Sequence, residues 1–241
     1  MRDLAPNQFA DDDGSAEPSV AQAVSRGDVS AVVAALPGTR LLVPVVADGK
    51  DSGDIALVTL TAPDGRRTMP AFTSTASLAA WDAAARPVPV ETRRAALSAV
   101  DEGCELVVID PGTASVLLPR PAVWALAQGI PWVPSPQRDD VADALRRAVA
   151  DVAEVIDVRP EPGRRAELAV VLAVRPGLDS AALADVTSRV GDALAAEQAV
   201  ADHVDSIELR VVLDQRGMGQ TLAASSRGDT GEGPAAGATS P

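Results

Sequence analysis

The sequence has no tyrosine, two phenylalanines, three tryptophans, one cysteine and one histidine. A single thiol, Cys104, closes no internal disulfide and builds no cysteine-based zinc site. It agrees with a reducing, cytoplasmic setting. A single imidazole, His203, means that any Ser-His-Asp or Cys-His catalytic set would have to use that residue. No stretch of about 18 apolar residues is present, so no membrane-spanning helix is expected. Met1 to Asn7 holds no apolar run and leads into Asp11-Asp12-Asp13, where a secretory leader would be apolar, so no signal peptide is read. Concentrated positive charge is missing too. The net charge is -13, and the basic residues, almost all Arg, are scattered among carboxylates. Nucleic acid and anionic membrane are therefore not expected partners. The acidity reads as a solubility feature.

What is present is a chain of 241 residues, 46% hydrophobic, enough for one large or two small folded units. Residues 1–17 are polar and acidic, and residues 216–241 are rich in Gly, Ala, Ser and Thr. Neither end buries enough apolar surface to offset ordering entropy, so both are expected to be disordered. Arg26-Gly27-Asp28 and Arg227-Gly228-Asp229 spell an adhesion tripeptide, which chance explains.

Between the ends, hydrophobic periodicity predicts alternating helices and strands. Val20 to Leu36 is helical with a break at Gly27-Asp28. Arg40 to Val46 is a strand whose Pro44 implies an edge position or an irregularity. Ile55 to Leu60 and Arg67 to Phe72 are further strands, joined by the Pro63-Asp64-Gly65 turn in an antiparallel meander. Ser74 caps a short helix through Trp81. Pro87 to Val90 is extended. Thr92 to Glu102 is a helix with Ala96, Leu97 and Val100 inward. Leu106 to Ile109 is a buried strand, Asp110-Pro111-Gly112 a turn, and Ser115 to Leu118 another strand. Pro121 to Gln128 is a helix closed by Gly129.

Pro131, Pro134 and Pro136 then stiffen an extended connector. Beyond it the order is α-β-β-α-β: a helix from Asp139 to Ala150, strands at Val155 to Val158 and Glu167 to Val174, a helix from Ser180 to about Gln198, and a strand from Ser206 to Leu213. The expected fold is mixed α+β, two small lobes, each an antiparallel or mixed sheet with helices packed on it. The expected units are residues 18–133 and 139–215, joined at residues 134–138.

A search for chemistry returns little. His203 lies between Asp202 and Asp205, and Asp205 is positioned to raise its pKa, but no G-x-S-x-G nucleophile motif accompanies it; it reads as a solvated loop residue. Asp48 to Asp54 invites a calcium loop, but counting from Asp48 puts Lys50 third and Thr59 twelfth, where an EF-hand needs oxygen donors. A hairpin connection fits better. Gly217-Met218-Gly219 lacks the third glycine and the strand-to-helix setting of a phosphate loop. Asp139 and Asp140 suit a helix N-terminus. Cys104, between a helix stop and a strand, reads as an inert small hydrophobe. No catalytic, cofactor-binding or metal-binding residue is assigned, and no cofactor is expected.

The motif order from Asp54 to Trp132 resembles the N-terminal domain of the SseB family. The resemblance rests on strand Ile55 to Leu60, a hairpin, then Met69-Pro70-Ala71-Phe72-Thr73-Ser74 and a short helix carrying Leu78 and Trp81. It continues through Val107-Val108-Ile109-Asp110-Pro111 and Pro119-Arg120-Pro121-Ala122-Val123-Trp124. It covers about residues 20 to 133. Residues 139 to 213 resemble more weakly, by element order, the C-terminal domain of longer family members. The family has no established catalytic residues, so the resemblance transfers none.

The aromatics remain as candidate interaction or interdomain residues, since Trp is enriched at binding hot spots. Trp132, between Pro131 and Val133 and outside any periodic face, is expected either to wedge two lobes together or to dock a partner. Phe72 and Trp81 are secondary candidates. Trp124, flanked by Val123, Leu126 and Ala127, is expected in the core. The leading functional expectation is a non-enzymatic protein-interaction or regulatory module with a protein partner. The alternative is a domain that binds or converts a small metabolite through groups leaving no sequence motif.

Overall fold

A computed structural model describes residues 9, 12–47 and 55–213. The Asp48 to Asp54 connection, the Gly217 motif, the second adhesion-like tripeptide and residues 216–241 lie outside the described residues. The fold is mixed α+β, with helices packed on sheets.

Two short helices, α1 (Pro18–Ser25) and α2 (Val29–Ala35), open it. The break between them has two causes. Gly27 takes φ 63°, and the Asp28 carboxylate accepts a hydrogen bond from Ala31 N–H at 3.0 Å, capping α2. The chain continues into β1 (Arg40–Ala47), β2 (Ile55–Leu57), β3 (Leu60–Thr61) and β4 (Arg67–Ala71). The single strand expected from Ile55 to Leu60 is thus two short ones, because β2 pairs with β1 and β3 pairs with β4. Next come α3 (Thr75–Trp81), β5 (Arg86–Glu91), α4 (Thr92–Asp101), β6 (Leu106–Ile109), β7 (Val116–Leu118) and α5 (Arg120–Gln128). The strand orders are β2-β1-β5 and β3-β4-β6-β7. The antiparallel pairing expected of this run holds for β1–β2 and β3–β4, split between two sheets, and β4 then pairs parallel with β6.

Pro44 does not put β1 at an edge, since β1 is the central strand of its sheet. Leu42 N–H donates to Phe72 O at 2.8 Å and Phe72 N–H returns the bond to Leu42 O at 2.9 Å. Even-numbered positions of β1 therefore turn their backbone groups away from β5. Pro44 is the next such position and has no N–H to offer. The strand exchanges partners there, from the Phe72 bridge to β2, whose pairing starts at Val45 with Leu57.

Both sheets share a core of Val32, Leu36, Leu41, Met69, Ile109, Leu118 and Val123, with the alanines of α4 and α5. The buried stripe of α4 is Thr92, Ala95, Ala96 and Ala99, while Leu97, expected inward, is exposed. Small side chains on this face let α4 lie close against α5. Residues 12–17 are held rather than loose. Arg40 ion-pairs with Asp12 and donates to Ser15 O at 2.7 Å, and Thr75 N–H donates to Gly14 O at 2.9 Å. The Arg40 guanidinium holds the Asp12 carboxyl below its usual value.

The remainder comprises α6 (Asp139–Val149), β8 (Val155–Pro162), β9 (Leu168–Val174), α7 (Ser180–Ala195), α8 (Gln198–His203) and β10 (Ile207–Leu213). Strand order is β10-β9-β8, with β9 parallel to β10 and antiparallel to β8. The helix expected from Ser180 to Gln198 is broken before Gln198. Its core gathers Val141, Leu145, Leu168, Val170, Leu172, Val186, Val190 and Leu194, and shares no residue with the first core.

One buried carboxylate ties the two parts. Asp205, 6% exposed, receives both terminal nitrogens of Arg66 at 2.8 and 3.0 Å and the backbone N–H of Arg120 at 3.0 Å. Arg66 lies beside the β3–β4 turn and Arg120 starts α5. The Asp205 carboxylate holds the Arg66 guanidinium above its usual pKa.

Candidate interaction surface

The α5 sequence, Arg-Pro-Ala-Val-Trp-Ala-Leu-Ala-Gln, starts with a proline in its first turn and ends on Gly129 at φ 70°. Its buried positions include Ala122, Val123, Leu126 and Ala127, which leaves Trp124 and Gln128, one turn apart, on the outer side. Trp124 is accordingly 45% exposed, against the expectation that it fills the core. Apolar neighbours in sequence were misleading, because residues adjacent in a helix point about 100° apart. The chain leaves α5 by Gly129 N–H to Leu126 O and Ile130 N–H to Ala125 O, a closure that the left-handed glycine permits. It then presents Ile130 at 54% and Val133 at 40% exposure.

Trp132 lies between these residues, half-buried and packed on the first core. Its indole N–H is buried without a hydrogen-bond partner, so packing alone holds the ring. The ring separates two concavities. One, of about 420 Å³, lies between the end of α2 and the start of α4 and is lined by Val33, Leu126, Ile130, Thr92 and Arg93. The other, of about 380 Å³, sets Trp124, Trp132, Ile130 and Val133 against Arg120, Arg138, Asp202 and His203. The second thus mixes apolar side chains with charged and polar ones.

The rim electrostatics follow from the α6 start. Arg138 hydrogen-bonds Asp140 at 2.7 Å and holds that carboxyl below its usual value, with help from Val141 N–H and His203. His203 Nε2 lies 3.5 Å from Asp140 Oδ2. The carboxylate facing the histidine is thus Asp140, while the Asp205 carboxylate binds Arg66 and Arg120. His203 ends α8 and is part of the groove, not an isolated loop residue.

Phe72 and Trp81 fall elsewhere. Phe72 is fully buried with Leu42 and Leu78, and Trp81 leans on it with ring centroids 5.3 Å apart. Buried Phe72 touches no partner directly, which corrects its candidacy as an interaction residue. Asp110, read only as a turn residue, is buried at φ 49° and accepts from Thr73 N–H at 2.8 Å, Thr73 Oγ1 at 2.6 Å and Ser77 Oγ at 2.6 Å. The Ser74–Ser77 spacing signals the helix cap, but nothing local says that a carboxylate 33 residues from Ser77 completes it. With three donors supplied by the chain itself, Asp110 is a structural knot.

Cys104 is buried, and burial pushes its thiol pKa up. It should react with thiol reagents at least about 100-fold more slowly in the native protein than in denaturant, since only an exposed thiolate attacks. Equal rates measured by absorbance would contradict its burial. Among the described residues no three His, Cys, Asp or Glu side chains are gathered to hold a metal ion, and no helix is long and apolar enough to cross a membrane.

Fold and surface together define an α+β protein with a tryptophan-lined groove. The family model described as SseB protein N-terminal domain matches residues 19–125, and over that part the chain is similar to the SseB family. No curated protein matches the chain, and no solved structure does.

Proposed function

We propose that the chain is a non-enzymatic protein-interaction module that docks a protein partner on the Trp124–Trp132 groove. The observation that supports this is the grouping of Trp124, Ile130 and Val133, all exposed, around half-buried Trp132. Large exposed apolar groups clustered within a polar rim are the composition of binding hot spots. Trp132 serves as the anchored floor and Trp124 as the accessible contact. We further assign two folded units, residues 18–133 and 139–215, joined at 134–138, the second related to the family's C-terminal domain. The two non-overlapping cores support this division. A cytoplasmic location fits the single, buried cysteine.

Replacing Trp124 by alanine should leave the thermal unfolding midpoint nearly unchanged, because the side chain is already half in water. It should weaken partner capture by about 30-fold, the effect of losing a roughly 2 kcal/mol hot spot. A Trp124→Ala protein that retains the partner captured by wild type, in a quantitative pull-down, refutes the assignment.

The alternative, a small-metabolite site, is favoured by the 420 Å³ cavity beyond Trp132. Its size suits a small ligand and Arg93 would supply a charged anchor. Thermal stabilisation by one metabolite, abolished in Arg93→Met and unaffected in Trp124→Ala, would reverse the order of the two readings.

A further inference from the structure

The sheet edges of this protein are treated unequally. Leu42 of β1 turns its backbone groups toward Phe72, so Pro89 and Pro87 of β5, opposite Leu42 and Pro44, occupy positions that face away from β1. Two of the three outward positions, Pro87 and Pro89, therefore lack an N–H, and the third, Glu91, is the last residue of the strand. In the third sheet, Leu168 N–H donates to Ser206 O at 3.1 Å. Even-numbered residues of β9 therefore face β10, and the β8 residues opposite them, Pro160 and Pro162, face outward. Proline removes these two outward donors, while Val158, opposite Leu172, keeps its own. Strands β2, β3 and β7 have three residues or fewer. Proline and shortness are how edges are kept from pairing with other chains.

Strand β10 has neither protection. It is an edge strand of seven residues, without proline, paired in unbroken register with β9. Because Ser206 O faces β9, the odd positions Ile207, Leu209, Val211 and Leu213 point their N–H and C=O groups outward. Their side chains lie on the helix-covered face, where Leu209 reaches the core while Val211 is 37% and Leu213 58% exposed. The opposite face carries Glu208, which accepts from Arg164 and Arg165 N–H at 3.0 Å each, and Arg210, which reaches Glu161 at 2.9 Å.

We propose that β10 pairs antiparallel with β10 of a second copy of this chain, about a two-fold axis at Leu209. Among axes at Glu208, Leu209 and Arg210, charge favours Leu209. It sets Glu208 opposite the other copy's Arg210 on both sides of the axis, Leu209 opposite Leu209 and Ile207 opposite Val211. An axis at Arg210 or at Glu208 would set like charges directly opposite, which is unfavourable. All odd positions then exchange hydrogen bonds, and two three-stranded sheets become one of six strands.

Sedimentation of the full chain at about 100 µM should show a dimer, as expected for an interface of micromolar affinity; a monomer overturns the proposal. Val211→Lys, at an exposed position, should weaken the dimer by about tenfold or more while leaving thermal unfolding unchanged at concentrations where both proteins are monomeric. An undiminished dimer places the interface elsewhere and overturns it. Glu208→Arg and Arg210→Glu each create like-charge pairs and should each self-associate poorly, yet mixing the two should restore association. Mixed variants that stay apart, with each still folded by circular dichroism, also overturn it. If either fails to fold, Val211→Lys decides. These tests do not involve the Trp124 groove, so their failure leaves the functional reading untouched.

Discussion

Replacing Phe72 by alanine should destabilise the protein by about 3–5 kcal/mol, the cost found when a fully buried aromatic is truncated and its cavity only partly closes. Phe72 has no exposed surface and fills a small cluster with Leu42 and Leu78 under Trp81. Its backbone also forms the reciprocal bridge to Leu42 that joins the first two sheets. Neighbouring side chains are fixed by three elements at once, β1, β4 and α3, so collapse into the vacated space is restricted. Against a total stability of about 5–15 kcal/mol for a native protein, this is a large fraction. Urea unfolding followed by tryptophan fluorescence should show a lower midpoint and a red-shifted native spectrum, because Trp81 loses the ring it leans on. A loss below about 1 kcal/mol would mean that the cluster is plastic, contrary to its burial.

Replacing Asp205 by alanine should cost about 3 kcal/mol, the lower end for removing one member of a buried ion pair. The lower end applies because Arg66 is 22% exposed and keeps Asp64 at 2.8 Å. Two donors lose their acceptor together, the Arg66 fork and the Arg120 N–H at the start of α5. The same substitution releases the carboxylate that bridges residues near the β3–β4 turn and α5 to the α8–β10 loop. Limited proteolysis of Asp205→Ala should therefore cut faster than wild type at the exposed stretch 129–133. Asp205→Asn, which retains one acceptor oxygen, should fall between the two proteins. Wild-type cleavage kinetics in Asp205→Ala would show that the carboxylate does not hold the two parts together, and would weaken the division at residues 134–138.

Much of the local structure was legible because its causes are local. The Gly27-Asp28 break, the Ser74 cap, the Pro63-Asp64-Gly65 turn and the Gly129 stop each depend on one or two residues whose backbone preferences are fixed by their own chemistry. The alternating apolar runs located nearly every strand. Errors gathered where a residue's role depends on distant partners. Leu97 and Trp124 have apolar neighbours, yet the phase of each helix against the sheet turns them to solvent. Pro44 weakens a strand in any setting, but only the arrival of Phe72 on one side and Leu57 on the other makes it the point where β1 changes partner.

The candidate groove divides in the same way. Its proline-bounded Trp132 was visible from sequence as a residue with no periodic face to join. That Trp124, eight residues earlier, shares its groove with His203 from the far end of the chain was not visible, because no local preference brings α5 and α8 together. The amino-acid sequence by itself determined most local turns and caps, the mixed α+β class and the acidity, since these follow from short-range sterics, periodicity and composition. The tertiary structure alone decided that Asp205 is a buried acceptor for Arg66, that His203 faces Asp140, and that β10 is an unprotected edge. Each of these is a relation between segments far apart in the chain, which the packing of the sheets creates.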